Sequence, residues 1–338
     1  MSNRSGNNSN SPQAGRIYYL DIARSLAVIW IVGFWHLREY LPHSLSFFGD
    51  ANMTDVALGV FMLLSGFFLA KYHFTCFRHD AWVFYKKRFI RIYILYAISA
   101  ITLYVSGYNP GFRLLVTTLT GTALYIPPQP NTLWFLTMLL NFYVFTPFIH
   151  CENRRNFLLR ILTLYFFLLG ARMCFGGIDF RFFWCFPLYY FGLYLGKNPL
   201  QITNEMQKVW KTAVCFGLLV GILLFFYFHP VSYKLHYVIL PLGIYVFLSL
   251  SYRLAALPVS KLVDPIAYSS MCAYLFHRQI YSLLWNSNWL EVTAFPTWLF
   301  FVLSIVVCFS ISYVIQYLYD HYIQPLLTPL HQTNKTTL

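Results

Sequence analysis

Apolar runs about as long as a bilayer is thick recur along this chain, separated by short polar stretches. Taken at roughly 17–25 residues per span, they fall at 17–37, 53–70, 89–106, 132–150, 157–174, 180–196, 209–228, 235–252, 265–286 and 295–318. Hydrocarbon offers no water to a backbone N–H or C=O, so a lipid-exposed run of this length is expected to be helical. A barrel strand would alternate apolar and polar residues, and these runs are unbroken. Only 10% of the residues are charged, against about 25% in a soluble domain. The expected fold class is all-α: a polytopic membrane helix bundle of about ten transmembrane helices. Residues 1–16 are polar and rich in Asn and Ser, which predicts a disordered N-terminal tail. The membrane domain is expected over 17–319, with a short C-terminal tail over 320–338. The first apolar run is expected to serve as an uncleaved signal-anchor.

The net charge of +13 is explained by its placement and not by nucleic acid. With the N-terminus in the cytoplasm, seventeen Lys and Arg residues fall at or near the cytoplasmic side and four at the outer side. That bias obeys the positive-inside rule and puts both termini in the cytoplasm. Residues 112–126 test the assignment. They are apolar but short, rich in Thr and followed by Pro127-Pro128-Gln129-Pro130. A span there would reverse every later loop and erase the bias, so a re-entrant or surface segment on the outer face is expected. The multi-pass chain fits a bacterial inner (plasma) membrane. The seven cysteines form no CxxC pair, and Cys174 and Cys185 read as small apolar filler. No metal-ligand spacing and no phosphate-binding Gly loop appears. Oligomeric state is not legible.

Ionisable groups inside a span are costly and mark function. In the first run, Asp21 and Arg24 lie three residues apart, so one helix face carries both and they can pair. His36 lies near the far end, roughly 18 Å from Arg24 along a helix axis. Imidazole titrates near neutral pH and suits proton transfer, though such a His can also serve as an interfacial cap. Arg88 and Arg91 project together from the start of the third run, as a phosphate site requires; anchoring to anionic lipid is the plainer reading of the same residues. In the ninth run Tyr274, His277, Arg278 and Tyr281 make one polar stripe, which suggests a lined cavity. Ser65-Gly66 suggests a close helix crossing. Three broad functions would use such a bundle: an enzyme, a transporter or flippase of a glycan or lipid intermediate, or a non-catalytic membrane subunit or sensor. The absence of an internal repeat and of paired broken helices counts against the second.

Taken in chain order, six segments resemble the acyltransferase-3 family of integral membrane acyltransferases. Leu20-Asp21-Ile22-Ala23-Arg24 running to His36 resembles its first-helix signature, and Phe61 to Leu69 its second helix. Lys87-Arg88-Phe89-Ile90-Arg91-Ile92-Tyr93 resembles its Arg-rich run, and Leu133-Trp134-Phe135-Leu136 to Pro147 its fourth helix. Tyr189 to Lys197 and Tyr274-Leu275-Phe276-His277 resemble two later motifs. The resemblance implies transfer of an acyl group, commonly acetyl, from acetyl-CoA or another short acyl-CoA, with no metal. It implies an acceptor hydroxyl on a cell-envelope glycan or lipid-linked sugar.

Arg24 and His36 match the family's functional pair, with His36 expected as general base and His277 and Arg278 as further catalytic groups. An oxyanion would be stabilised by Arg278 or Tyr281. Lys87, Arg88, Arg91 and Trp134 are expected to bind the donor. Two departures stand out. The family usually leaves ten residues between the Arg and the His, and here there are eleven. A π-bulge would absorb the extra one. Some members carry acidic residues before the fourth-helix Tyr, where this chain has Leu139-Leu140-Asn141.

Overall fold

The computed structural model describes residues 17–41, 45, 49–74, 77–150, 153–228, 236–258, 260–285 and 296–327. The N-terminal tail, Cys76, Cys151 and residues 328–338 lie outside the described residues. Among those described, all regular structure is helical and no strand occurs. Helix α1 runs Tyr18–Tyr40 and changes character twice: α over Tyr18–Trp30, π over Ile31–His36 and 3-10 over Leu37–Tyr40. Helix α2 is Asp50–Leu69. Helix α3 is Phe77–Val105, with a π turn at Tyr85–Ile90. The short α4, Phe112–Leu119, is followed by a 3-10 turn at Thr122–Leu124. Then come α5, Trp134–Ile149, α6, Arg154–Phe175, and α7, Phe182–Leu195. Helix α8, Pro199–Met206, turns by 73° into α9, which is Val209–Phe228. Helices α10, His236–Leu254, α11, Ser260–Trp285, and α12, Thr297–Leu318, close the bundle.

Each apolar run read from the sequence lies largely within one of these helices, and residues 112–126 hold only α4 and the 3-10 turn, neither long enough by itself to cross a membrane. Eight residues of α4 rise only about 12 Å. Among the described residues, six helices are long and apolar enough to cross a membrane, or seven if the bent α8–α9 pair is one span. That count is lower than ten for physical reasons. Helices α5 and α7 are only 16 and 14 residues long, and α11 carries Lys261, Asp264, His277, Arg278 and Gln279 along an otherwise apolar helix. The last helix also continues past the expected domain end. A π turn at Tyr319–Ile323 and a final turn at Gln324–Leu327 extend it.

The core is where α1, α2, α7, α10 and α11 meet. Helix α2 crosses α7 closely because both present glycine at the contact. A Cβ on Gly66 would sit 1.9 Å from the Tyr189 carbonyl oxygen, and one on Gly192 would sit 2.0 Å from that of Leu63. Only glycine lets the two backbones touch, as in small-residue membrane crossings. Helix α11 is tied to its neighbours by polar bonds. Ser25 donates to the Val263 carbonyl, Ser99 to that of Leu275, and the Tyr281 hydroxyl to that of Val32. Low-dielectric surroundings make such bonds expensive to leave unmade, so they fix how α11 lies against α1 and α3.

Candidate active site

Helix α1 presents functional groups at two levels. Near its start, Arg24 donates to Asp21 at 3.0 Å, the pairing that the three-residue spacing suggests. Arg88 and Arg91 lie close by on α3, the first within its π turn and the second just after it. Arg88 Nε donates to the Tyr72 hydroxyl at 2.8 Å, and Arg91 donates to Asp320 at 2.9 Å. All three arginines line one cavity of about 320 Å³, with Ser65, Tyr143, Tyr268, Gln316 and Tyr274 among the other walls. Its remaining surface is largely Phe, Leu, Ile and Met from α2, α3, α5 and α11. A basic mouth on an apolar bore suits a ligand with an anionic head and a slim, uncharged arm. Of the residues expected to bind a donor, Lys87 is exposed and does not line this cavity. Trp134 does not line it either. It starts α5, toward the His277 end of the bundle, where the Arg181 guanidinium stacks on its ring at 3.9 Å.

The second level lies about three turns further along α1. Here the π turn is decisive. It inserts one residue into the helix between Trp30 and Leu37, so the eleven residues separating Arg24 from His36 do not simply rotate the imidazole by a further 100°. The ring faces into the bundle: His36 Nδ1 lies 2.7 Å from His277 Nε2. His277 is fully buried, and its Nδ1 lies 2.9 Å from the Tyr274 carbonyl oxygen and 3.2 Å from that of Ala273. The stripe on α11 therefore turns toward α1. Neither histidine lines the basic cavity. Tyr274 connects the two levels, because it lines the cavity and its ring centroid is 6.0 Å from that of His277.

Arg278 and Tyr281 are both engaged. The Tyr281 hydroxyl donates to the Val32 carbonyl at 3.2 Å. Arg278 makes a fork onto Glu39 at 2.6 and 2.8 Å, and its Nε donates to Thr132 at 3.2 Å. Arg278 thus latches α1 and the turn before α5 onto α11. Tyr40 adds a bond from its hydroxyl to the Arg278 carbonyl, and Arg38 pairs with Asp50 at the start of α2.

Sequence reasoning missed three of these partners. Glu39 stands beside Arg38 just past the first apolar run, and nothing local in the sequence marks it as a partner of Arg278. Thr132 sits in a turn, where its φ is 67°. Asp320 was assigned to a tail. It accepts from Arg91, from Tyr268 at 2.9 Å and from Gln316 at 3.1 Å, so the π turn at the end of α12 supplies a wall group's counter-ion. Among the described residues, no three His, Cys, Asp or Glu side chains gather as metal ligands. Cys174 and Cys185 are both free thiols.

A family profile described as an acyltransferase domain matches residues 17–317. The chain belongs to the acyltransferase-3 family. Among curated proteins and among solved structures, none matches it. Family membership makes the chain an acyltransferase, and its apolar helices make it an integral membrane protein. Within this acyltransferase-3 domain, the two levels of α1 hold the charged groups around which a donor and a proton transfer can be arranged.

Proposed function

We propose that the protein moves an acyl group, acetyl in the simplest case, from cytoplasmic acyl-CoA to a hydroxyl of a cell-envelope glycan or lipid-linked sugar. One observation supports the reading most: a single helix carries Arg24 into a basic-mouthed apolar cavity and His36 into a part-buried contact with the His277 imidazole roughly 18 Å further on. In this reading about ten helices cross the membrane, counting the short α5 and α7 and the polar α11, and both termini are cytoplasmic. Arg88, Arg91 and Arg24 hold the donor's phosphates, since guanidinium matches phosphate oxygens with paired N–H donors. At about 320 Å³ the cavity is near the lower end for ligand sites, roughly 300–1,000 Å³. It suits the slim arm and a short acyl group, with the nucleotide left at the mouth. In this reading Tyr274, whose hydroxyl bonds the Thr132 carbonyl at 2.7 Å, has to move for the thioester to reach His36.

Chemistry at that point needs a base. His36 takes the proton of the acceptor hydroxyl, the oxygen attacks the thioester carbon, and the carbon–sulfur bond breaks. The proton then passes from His36 to the departing thiolate. General-base assistance of this kind contributes roughly 10²–10⁴-fold. The experiment is transfer from labelled acetyl-CoA by purified protein in detergent or nanodiscs, with self-acylation and hydrolysis followed alongside. His36→Ala should abolish transfer while the protein still elutes as a folded species. Arg88→Ala should raise the KM for the donor with little change in kcat. Normal transfer by His36→Ala protein rules out the base.

A further inference from the structure

The hydrogen bonds around the two imidazoles have a direction, and it identifies the reacting atom. His277 Nδ1 faces two backbone carbonyl oxygens, at 2.9 and 3.2 Å. Carbonyl oxygens only accept, so Nδ1 must carry the hydrogen; a bare nitrogen there would set lone pair against lone pair in a buried site. In a neutral ring Nε2 is then the acceptor. The only hydrogen available to the 2.7 Å contact comes from His36 Nδ1. His36 is left with its lone pair on Nε2.

We infer that His277 is a positioning residue: it holds His36 in the Nδ1–H tautomer and thereby makes Nε2 the atom that receives the acceptor's proton. This rests on the general-base reading of His36. His277 plays the part that a buried carboxylate plays in a Ser-His-Asp triad, with a neutral ring anchored on helix carbonyls in place of an anion. When His36 Nε2 takes the hydroxyl proton, the Nδ1–H bond to His277 strengthens, because the donor is then an imidazolium. Passing the proton to the thiolate returns both rings to their starting forms, so the cycle consumes nothing beyond donor and acceptor.

The surrounding contacts keep the two rings in register. Glu39 holds Arg278, the residue after His277, by two bonds. Tyr40 bonds the Arg278 carbonyl, and Tyr281 bonds the Val32 carbonyl inside the π turn. Contacts on both sides of the imidazole pair therefore oppose sliding of α1 along α11. His277 does not line the donor cavity, whereas Tyr274, with its ring centroid 6.0 Å away, does, so the effect of His277 should fall on turnover and not on donor binding.

The test combines kinetics with ¹⁵N NMR of imidazole-labelled protein. His277→Ala should lower kcat about 100-fold and leave the KM for acetyl-CoA unchanged. His277→Gln, whose side-chain oxygen can accept from His36 Nδ1, should recover at least a tenth of the wild-type kcat. Equal losses in both variants, with both folded by size exclusion, would show that no acceptor is needed and overturn the inference. In the wild-type spectrum, the neutral forms of His36 and His277 should each carry hydrogen on Nδ1. Hydrogen on His36 Nε2 would sink the assignment whether or not the protein transfers acetyl. The expected tautomers in a protein that transfers no acetyl would keep the network and overturn the transfer reading instead.

Discussion

At the scale of single residues, the site is organised by counter-charges more than by apolar packing. Arg278 is buried at 4% exposure and Glu39 neutralises it from a half-exposed position. Hydrogen bonds to a charged group contribute roughly 1.5–3 kcal/mol; solvent at Glu39 lowers that to about 1–2 kcal/mol. Glu39→Ala should therefore reduce the apparent Tm of the purified protein and cut transfer strongly, because the latch also sets the spacing of His36 and His277. An unchanged Tm with full activity would show that the latch is ornamental. Asp320 acts in the same way on Arg91. Asp320→Asn should weaken donor binding, seen as a KM for acetyl-CoA raised several-fold, with kcat nearly unchanged; the neutral side chain can still accept from Tyr268 but holds the guanidinium less firmly. These partners lie 239 and 229 residues from their arginines. Nothing local in the chain announces such pairings, whereas Asp21–Arg24, three residues apart, was legible because one helix turn decides it.

At the scale of elements, the π turn in α1 is the feature on which the geometry depends. Eleven residues between Arg24 and His36 were visible in the sequence, and so was the need for a bulge; that the bulge would fall at Ile31–His36 was not, because i→i+5 bonding leaves no compositional trace. Deleting Phe34 should return the segment to ordinary α-helix while keeping His36 on the same face, and a measurable fraction of transfer should survive. Inserting one Ala after Phe34 should turn His36 by about 100° and abolish transfer. The opposite ranking would mean that the π turn is incidental. Helix crossing makes a second, separate demand. Gly66→Ala places a methyl against a backbone oxygen that cannot move without dragging α7, so the cost should exceed the usual 1–3 kcal/mol of overpacking. The expected result is little or no monodisperse protein after extraction. The Ser65-Gly66 pair suggested a close crossing, but its partner on α7, Gly192, became apparent only in three dimensions.

At the scale of the whole molecule, direction across the membrane decides whether the chemistry is possible. In the proposed reading the Arg88 and Arg91 mouth and the His36 dyad, which lie at different levels of one bundle, would let a donor and an acceptor approach from opposite sides without crossing. The Lys and Arg bias counted along the sequence makes the Arg88 level the expected cytoplasmic face. The bundle itself could be read from apolar runs because each helix must satisfy its own backbone in lipid. Two helices that line the site blur the span count: α5, which carries Tyr143, is only 16 residues long, and α11 carries Tyr274, His277 and Arg278 in place of uniform apolar residues. Sidedness is testable directly. In a cysteine-free background, Lys87→Cys should react with a membrane-impermeant maleimide only after the cells are permeabilised. Gly111→Cys, at the opposite end of α3 beside the exposed start of α4, should react in intact cells. Labelling of both positions from outside would place the basic mouth away from the cytoplasmic donor pool. The same arginines would then have to bind an extracellular anion, and the direction of transfer proposed here would fail even with every residue of the site intact.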